Sequence, residues 1–350
     1  LSGGEKQLIA LASVYMADPE VFVLDEPTAN LDLASIDILK RMLQQIKQEG
    51  KTILIAEHRL TYFKYIADTV VFMEQGKKKC VYTGKEFFSL DDEKRTEMGL
   101  RRLRDLSSET DVPQAKRKEP GVGLDQVKIS YGKRTVLEHI SFQAYRGDII
   151  GITGNNGVGK TTLCRTICGL IQETEGKVTY GGKSVKPADR QKRSYLIMQD
   201  VNHQLFGESV EEECRMDQNP VTDAKIYEIL KQLDLFAEVN RHPMSLSGGQ
   251  KQRLAIAVSL LLKKDIYIFD EPTSGLDYAS MCAVRDQIRM LAESGATVFL
   301  VTHDMELLDT LCNRCLFVCR DRVVEIFADT RGYSGYVKKM LKKEDGGRRG

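Results

Sequence analysis

A glycine-rich segment at residues 154–161 ends in Lys-Thr. It reads Gly-Asn-Asn-Gly-Val-Gly-Lys-Thr, with a strand-like run before it and a helix start after it. Backbone N–H groups of such a loop can surround phosphate oxygens at the positive end of a helix, while Lys160 pairs with the outer phosphates and Thr161 offers its hydroxyl to Mg²⁺. The pattern in this context predicts a P-loop rather than a tight turn that happens to contain Lys-Thr. The residues predicted to hold the nucleotide are Gly154, Asn155, Asn156, Gly157, Val158, Gly159, Lys160, Thr161 and Thr162.

Two carboxylates and a histidine stand where apolar strands end. Asp270 and Glu271 follow the apolar run 267–269, and His303 follows the run 297–301. At these positions Asp270 can hold Mg²⁺ through water, Glu271 can polarise the attacking water, and His303 can hold the γ-phosphate and orient Glu271. In the alternative interpretation the carboxylates only cap the next helix, which the recurrence of the same pair earlier in the chain disfavours.

Three features of the second half recur in the first half at one constant distance along the chain. Leu-Ser-Gly-Gly occurs at residues 1–4 and 246–249, Asp25-Glu26 is the twin of Asp270-Glu271, and His58 is the twin of His303. A repeat of this length indicates tandem domains rather than a solenoid, whose repeats run to about 20–50 residues. The glycine-rich loop occurs once, so we expect the first domain to be N-terminally truncated.

The periodicity of apolar residues indicates a parallel α/β core in both halves. In the first half it predicts helices over residues 5–16 and 35–48 and buried strands over residues 21–24 and 52–56. The second half follows the same course. Polar residues at the carboxyl ends of parallel strands occupy the edge where such sheets bind ligands.

Composition and local patterns divide the chain and limit its function. We predict a C-terminal part of a first domain over residues 1–90, a charged linker over 91–123, a second, complete domain over 124–335 and a basic tail over 336–350. A net charge of +1, from 51 basic and 50 acidic residues, offers no reason to propose nucleic-acid binding. The longest apolar runs fall short of the about 20 residues that span a bilayer.

The eight cysteines form no disulfide framework. Cys164 and Cys168 lie where the helix after the P-loop should be and are expected to be reduced core thiols. Cys312, Cys315 and Cys319 have no second Cys or His pair nearby at zinc spacing, which favours a buried edge strand over a metal site.

Taken together, these motifs resemble the full set of an ABC-type ATPase. The match includes the P-loop, Gln199 at the end of an apolar strand, the Leu-Ser-Gly-Gly-Gln signature at 246–250, Asp270-Glu271 and His303. The resemblance implies tandem P-loop NTPase domains, each with a parallel-sheet core, a helical subdomain and an antiparallel β subdomain. It also implies that ATP and Mg²⁺ are the cofactors, that Gln199 serves in catalysis and at the metal, and that Tyr131 stacks on adenine.

In that family, ATP lies between the P-loop of one domain and the signature of the other. The resemblance implies that the first signature completes the site built on Lys160, Asp270, Glu271 and His303. The second signature would complete a site with Asp25 at the metal and with Glu26 and His58 in catalysis. The signature residues implied to face the nucleotide are Ser2, Gly3, Gly4, Ser247, Gly248 and Gly249.

A narrower resemblance is to the ATPases of energy-coupling-factor transporters. Residues 199–206, followed by Ser-Val-Glu-Glu at 209–212, look like the segment on which that family docks its membrane subunit, and residues 56–60 resemble the first half of fused double-domain members. The resemblance implies ATP-driven uptake of a vitamin or micronutrient at the cytoplasmic face of the cell membrane. The implied partners are a transmembrane coupling subunit and a membrane substrate-binding subunit, with no nucleic acid.

Two rival families share the ATPase motifs. One is the family of soluble ABC-F-like factors, which act on ribosomes. Its members share an Asn-His pair between the Thr and the Leu-Asp of the loop that follows Asp-Glu-Pro-Thr. This chain has Ala29-Asn30 and Ser274-Gly275 at those positions. A DNA-repair ATPase of the SMC type would need sustained heptads, and the sequence has none. The two halves also differ at Leu8, which stands where the second copy has Arg253, so we expect unequal rates at their sites.

Overall fold

The structure is a computed structural model. It describes residues 3–29, 31–74, 76–103, 119–216, 221–320 and 322–326, and near the C-terminus residues 333, 335–337 and 339–341. The chain divides into two compact units, the first made of residues 1–105 and 275–279 and the second of residues 106–274 and 280–350.

The first unit alternates helices with short strands. Its elements are α1 (Gly3–Met16), β1 (Val21–Asp25), α2 (Leu33–Gln48), β2 (Thr52–Ala56), β3 (Thr69–Glu74), β4 (Lys77–Thr83), α3 (Gly84–Phe88) and α4 (Asp92–Glu97). β1 and β2 pair in parallel, with Asp25 opposite Ala56, and β3 and β4 form an antiparallel hairpin. The predicted helices and strands of the first half are confirmed, with α2 beginning two residues before the expected start.

Helix α2 shows why the sequence folds this way in the first unit. Asp32 caps its first turn by accepting a hydrogen bond from Ser35 N at 2.9 Å. Helical spacing then places apolar side chains on the buried face; they are Ile36, Leu39, Leu43 and Ile46. These side chains pack in one cluster with Phe22 of β1 and Phe63. The helix therefore fixes the two strands from which the polar residues project.

The second unit begins with an antiparallel sheet and continues into a parallel one. Its strands are β5 (Pro120–Tyr131), β6 (Arg134–Tyr145), β7 (Ile149–Thr153), β8 (Glu175–Tyr180), β9 (Lys183–Ser184), β10 (Ser194–Ile197), β11 (Ile266–Asp270), β12 (Thr297–Val301), β13 (Arg314–Cys319) and β14 (Arg322–Ile326). Its helices are α5 (Lys160–Ile167), α6 (Pro187–Arg193), α7 (Val210–Arg215), α8 (Asp223–Gln232), α9 (Gly248–Leu261), α10 (Tyr278–Glu293) and α11 (Met305–Leu311).

The main sheet of the second unit has the order β10-β11-β12-β7-β13-β14. Its strands are parallel except β14, which pairs antiparallel with β13. All five residues of β7, β11 and β12 are buried, as expected for parallel strands covered on both faces. Because β11, β12 and β7 are neighbours, the residues after each strand emerge at one edge of the sheet.

Part of the predicted linker is folded. α4 lies within it, and the Arg95 side chain is fully buried, donating to the carbonyl oxygens of Phe87 and Leu90. Its guanidinium also stacks on the Phe87 ring, 4.8 Å from the centroid. At the other end β5 begins at Pro120, four residues before the expected domain start. Residues 104–118 of the predicted linker lie outside the described residues, as do 338 and 342–350 of the predicted tail.

The cysteine-rich strand is interior, which corrects the expected edge position. β13 lies between β7 and β14 because one more antiparallel strand follows it. Desolvation raises the pKa of both the Cys312 and the Cys315 thiols, so they are protonated core side chains. Cys164 and Cys168 are also buried, and desolvation raises the pKa of Cys168 to about 11. Among the helices of the described residues, none is both long enough and apolar enough to cross a bilayer.

Candidate functional site

The glycine-rich loop adopts the conformation that its sequence predicts. Gly154, Gly157 and Gly159 have φ values of +143°, +77° and +110°, which side chains with a Cβ rarely adopt. A Cβ on Gly154 would also lie 2.1 Å from the Val318 carbonyl oxygen. The loop therefore requires glycine for both backbone conformation and space, and it ends at the first residue of α5.

Lys160 lies at the centre of this loop and is almost fully buried. Its Nζ donates to the carbonyl oxygens of Gly154 at 2.7 Å and Asn155 at 2.9 Å. These bonds hold the ammonium group over the loop, where a phosphate would meet a positive charge together with the N-terminus of α5.

Thr161 and Asp270 form a pair of oxygen donors beside the loop. Thr161 Oγ1 donates to Asp270 Oδ2 at 3.2 Å. Desolvation raises the pKa of Asp270, whereas the Thr161 hydrogen bond and the charge of Lys160 oppose that rise. A hydroxyl and a carboxylate are hard oxygen ligands of the kind that Mg²⁺ prefers, so these two residues fit the predicted metal.

Glu271 and His303 meet at the same edge. Glu271 Oε1 accepts from the backbone N–H of His303 at 3.0 Å and lies 3.7 Å from His303 Nε2. His303 Nε2 is also 3.3 Å from Lys160 Nζ and 3.2 Å from Asn156 Oδ1. Glu271 has a positive φ of 53°, a conformation uncommon for residues other than glycine. A carboxylate, an imidazole and an ammonium group thus converge beside the loop.

Two further predicted residues of this unit, Gln199 and Tyr131, lie at or just beyond strand ends. Gln199 is exposed and lies two residues beyond β10, the neighbour of β11 in the sheet. Tyr131 ends β5 and is 51% exposed. The hairpin that carries Tyr131 packs on the loop, since a Cβ on Gly159 would lie 3.0 Å from Val136 of β6. An exposed ring near the loop is compatible with stacking on a base.

The first copy places its twin residues in a similar arrangement. Glu26 follows β1, has a φ of 43°, and its Oε1 lies 3.4 Å from His58 Nε2. This hydrogen bond is the main cause that lowers the pKa of Glu26 and raises the pKa of His58. Asp25 is the exposed last residue of β1.

The two signatures both lie at helix starts. Ser247 caps α9, with its side chain accepting from Gln250 N at 3.3 Å while the Gln250 side chain accepts from Ser247 N at 2.9 Å. Gly248 and Gly249 form the first turn of α9. Gly3 and Gly4 likewise begin α1, whereas Ser2 lies outside the described residues. That each signature completes a site with the other copy stays a prediction.

Two carboxylates were not identified from the sequence: Glu213, which is buried, and Glu57, which bridges two loops. Glu213 is almost fully buried and accepts from the backbone N–H groups of Phe206 and Gly207. Glu57 bridges two loops of the first copy. Glu57 could have been found, because it stands where the second copy has Thr302, whereas Glu213 lies in a plain acidic run with no distinguishing pattern.

Comparisons with known proteins agree with this geometry. Residues 137–274 match the ABC transporter family. A Treponema denticola protein, provisionally named an ABC transporter ATP-binding protein, is 47% identical over 93% of this chain and 68% of its own length. A Bacillus subtilis protein, provisionally named the HMP/thiamine import ATP-binding protein YkoD, is 28% identical over 90% of this chain and 63% of its length.

The similarity to solved structures extends along almost the whole chain. The archaeal ribosome recycling factor aABCE1, solved in complex with the ribosomal stalk protein aP1, aligns with a TM-score of 0.70 and 27% identity. The alignment covers 97% of this chain and 66% of that one. The shared fold therefore occurs in proteins with different cellular tasks.

Proposed function

Because the chain belongs to the family of ABC transporter ATP-binding proteins, a family of ATPases, we propose that it hydrolyses Mg-ATP to drive uptake of a vitamin or micronutrient through an energy-coupling-factor transporter. The observation that carries the ATPase part is the convergence of Lys160, Asp270, Glu271 and His303 at one sheet edge. The relative YkoD, whose name refers to HMP/thiamine import, supports the uptake part.

In the proposed reaction Lys160, Glu271 and His303 have separate roles at the edge of the sheet. Lys160 binds the outer phosphates, and the backbone N–H groups of the glycine-rich loop surround them. Glu271 accepts a proton from the attacking water, and its bond to the His303 backbone N–H fixes the carboxylate in place. The His303 imidazole lies within reach of both Lys160 and Glu271, so it can donate to the γ-phosphate as charge develops.

Thr161 and Asp270 are the residues we propose for Mg²⁺, and Gln199 would join them when the nucleotide is bound. The metal would neutralise charge on the phosphate oxygens. Burial raises the pKa of Asp270, while the Thr161 hydrogen bond and the charges of Lys160 and Arg165 oppose that rise, so a proton competes with Mg²⁺ for this carboxylate. This coupling predicts weaker Mg²⁺ binding as the pH falls.

The segment after Gln199 has the properties of a docking surface for a membrane protein. The Gln204 side chain accepts from Met198 N at 2.7 Å and donates to the Leu196 carbonyl at 2.6 Å, so its amide holds the loop against β10. Phe206 is 73% exposed although Glu213 fixes its backbone. A rigidly held, exposed aromatic side chain is typical of an interface anchor.

The same segment connects to the signature helix. Lys251 of α9 donates to Asn202 Oδ1 at 2.9 Å, and Asn202 lies in the 3₁₀ turn at Val201–His203. A partner that moves this loop would therefore act on the helix whose N-terminus carries Ser247. We propose that this is how ATP binding and release are transmitted to the membrane subunits, with the chain attached at the cytoplasmic face.

The alternative is a soluble ribosome-associated ATPase. The structural similarity to an archaeal ribosome recycling factor favours it, because the match covers nearly the whole chain. Against it are the named import relative and the departures from the ABC-F pattern at residues 29–30 and 274–275. The two candidates differ in their partners, which can be measured directly.

The test is to purify a tagged form of the protein from its native cells and identify what accompanies it from detergent-solubilised membranes and from ribosomes. The importer proposal predicts a polytopic membrane protein together with a second, substrate-binding membrane subunit. Phe206→Ala should lose both, whereas the matched control Phe236→Ala, which also removes an exposed ring, should keep them. Recovery with ribosomes and without membrane proteins would overturn the proposal in favour of the alternative.

A further inference from the structure

The two copies differ in which carboxylate binds the backbone of the histidine loop. In the second copy the His303 N–H donates to Glu271, the carboxylate that we place in catalysis. In the first copy the His58 N–H donates instead to Glu57 Oε1, at 2.8 Å. The twin glutamate, Glu26, points its Oε1 at the imidazole Nε2 of His58.

Glu57 has four hydrogen bonds that join two loops of the first unit. Its Oε1 accepts from the backbone N–H groups of His58 and of Arg59, at 2.8 and 3.0 Å. Its Oε2 accepts from Thr28, from the backbone N at 3.2 Å and from Oγ1 at 2.6 Å. Thr28 is fully buried and lies two residues after Glu26. Glu57 thus connects the turn after β1 to the loop after β2.

The second copy has no carboxylate at this position and arranges the same turn differently. Thr302 replaces Glu57, and its Oγ1 lies 3.5 Å from Glu271 Oε2. Thr273, the twin of Thr28, is buried, and its Oγ1 has no hydrogen-bond partner among the described residues. The backbone around the two glutamates is otherwise the same, since Glu26 N donates to Ala56 O and Glu271 N to Val301 O, both at 2.9 Å.

We propose that Glu57 is a positioning residue of the first copy, which occupies the histidine N–H that Glu271 occupies in the second copy and thereby directs Glu26 onto the imidazole of His58. The physical reason is competition for one donor: the backbone N–H of the histidine loop binds one carboxylate, and Glu57 is its nearest neighbour in the chain. Glu26 then contacts the imidazole alone of these two groups, with Oε1 3.4 Å from His58 Nε2. Glu271 accepts from the backbone N–H and lies 3.7 Å from His303 Nε2, so the two copies differ in the donors around the carboxylate.

The effect of Glu57 on catalysis rests on the proposed function, whereas the hydrogen bonds of Glu57 do not. The carboxylate of the first copy contacts a side chain, whereas that of the second copy accepts from a backbone N–H. We therefore expect unequal rates at the two sites.

The geometry is tested by titrating His58 in the 350-residue chain through its imidazole ¹H–¹⁵N signals, assigned among the five histidines with a His58→Asn variant. Glu57→Thr introduces the residue of the second copy, and Glu57→Gln removes the charge but keeps an oxygen for the two backbone donors. The control is Glu20→Thr, the same change at an exposed glutamate paired with Lys51.

We expect Glu57→Thr to lower the pKa of His58 clearly more than Glu57→Gln does, because only Thr releases the backbone N–H to Glu26. Glu20→Thr should leave the pKa unchanged. If both substitutions change the pKa of His58 equally, Glu57 acts only through its charge, and the proposal is overturned. The signals of the other four histidines report whether each variant is folded.

The reciprocal substitution keeps the proposal testable if Glu57→Thr does not fold. Thr302→Glu supplies an acceptor for Thr273 Oγ1 and a competitor for the His303 N–H, so Glu271 should leave its position. Since a displacement of about 1 Å can cost about 10²-fold in rate, we expect kcat for ATP to fall by about that factor with an unchanged KM. An unchanged kcat would contradict the proposal. Absence of ATPase activity in the unaltered chain would instead refute the proposed function and leave the His58 titration valid.

Discussion

The buried carboxylate of Glu213 should determine how firmly the exposed Phe206 is held. Its Oε2 accepts from Phe206 N at 2.7 Å and from Gly207 N at 2.6 Å. A hydrogen bond to a charged group contributes about 1.5–3 kcal/mol and one to a neutral group about 0.5–1.5 kcal/mol. Glu213→Gln keeps an oxygen but removes the charge, so both bonds together should weaken by about 2 kcal/mol.

Glu213→Ala removes both acceptors and leaves two N–H groups with little access to water. A buried donor left without its partner costs about 1–3 kcal/mol, so the two N–H groups together cost about 4 kcal/mol. At 1.4 kcal/mol per factor of ten, the local opening of the loop should become about 30-fold more frequent in the Gln variant and about 10³-fold more frequent in the Ala variant.

Amide hydrogen exchange at Phe206 and Gly207 measures this opening directly. The matched control is Glu211→Gln on the same helix, because Glu211 pairs with Arg215 and Tyr227 rather than with the loop. The expected order of exchange rates is Ala, then Gln, then the control, which should equal the unaltered protein. Equal exchange in all four proteins would refute the reasoning that Glu213 holds the docking loop.

Two further predictions concern the charged groups. Lys160→Ala removes a charge-assisted bond to phosphate of about 1.5–3 kcal/mol, so equilibrium binding should show ATP affinity falling by about 10- to 150-fold, whereas exposed Lys225→Ala should change nothing. The Glu26–His58 pair should stabilise the fold by about 0.2–1 kcal/mol, a small value because both side chains are partly exposed. The contribution of Glu26 is lost as pH falls through its lowered pKa, and that of His58 is lost as pH rises through its raised pKa. Denaturation of His58→Asn at several pH values should therefore show its largest deficit in stability between about pH 4.5 and 6.5.

Much of the fold follows from local patterns in the sequence. The helices and strands around the repeat are confirmed because their apolar periodicity is strong and their ends carry clear signals, such as Asp32 before α2 and Ser247 before α9. The helix α4 at the start of the predicted linker was not predicted, because its residues are mostly charged. Asp91 caps this helix, but the burial of Arg95 against Phe87 is a tertiary contact that the local sequence does not predict.

The site was predictable where its chemistry is encoded in contiguous residues. The loop around Lys160 and the strand ends at Asp270 and His303 could be placed together, because neighbouring parallel strands deliver their carboxyl ends to one edge. The hydrogen-bond donor of each glutamate could not be predicted, because it depends on which N–H group lies within about 3 Å after folding. Glu57 and Glu213 are therefore visible only in the structure.

The most direct test of the central claim is the ATP turnover of Glu271→Gln. The substitution keeps the shape of the side chain and an oxygen for the His303 N–H, but it removes the base that activates water. We predict that kcat falls by about 10²- to 10⁴-fold while ATP binding, measured in parallel, is retained, and that the exposed control Glu175→Gln hydrolyses ATP normally. Hydrolysis at an unchanged rate in Glu271→Gln would contradict the claim that ATP is cleaved at this site.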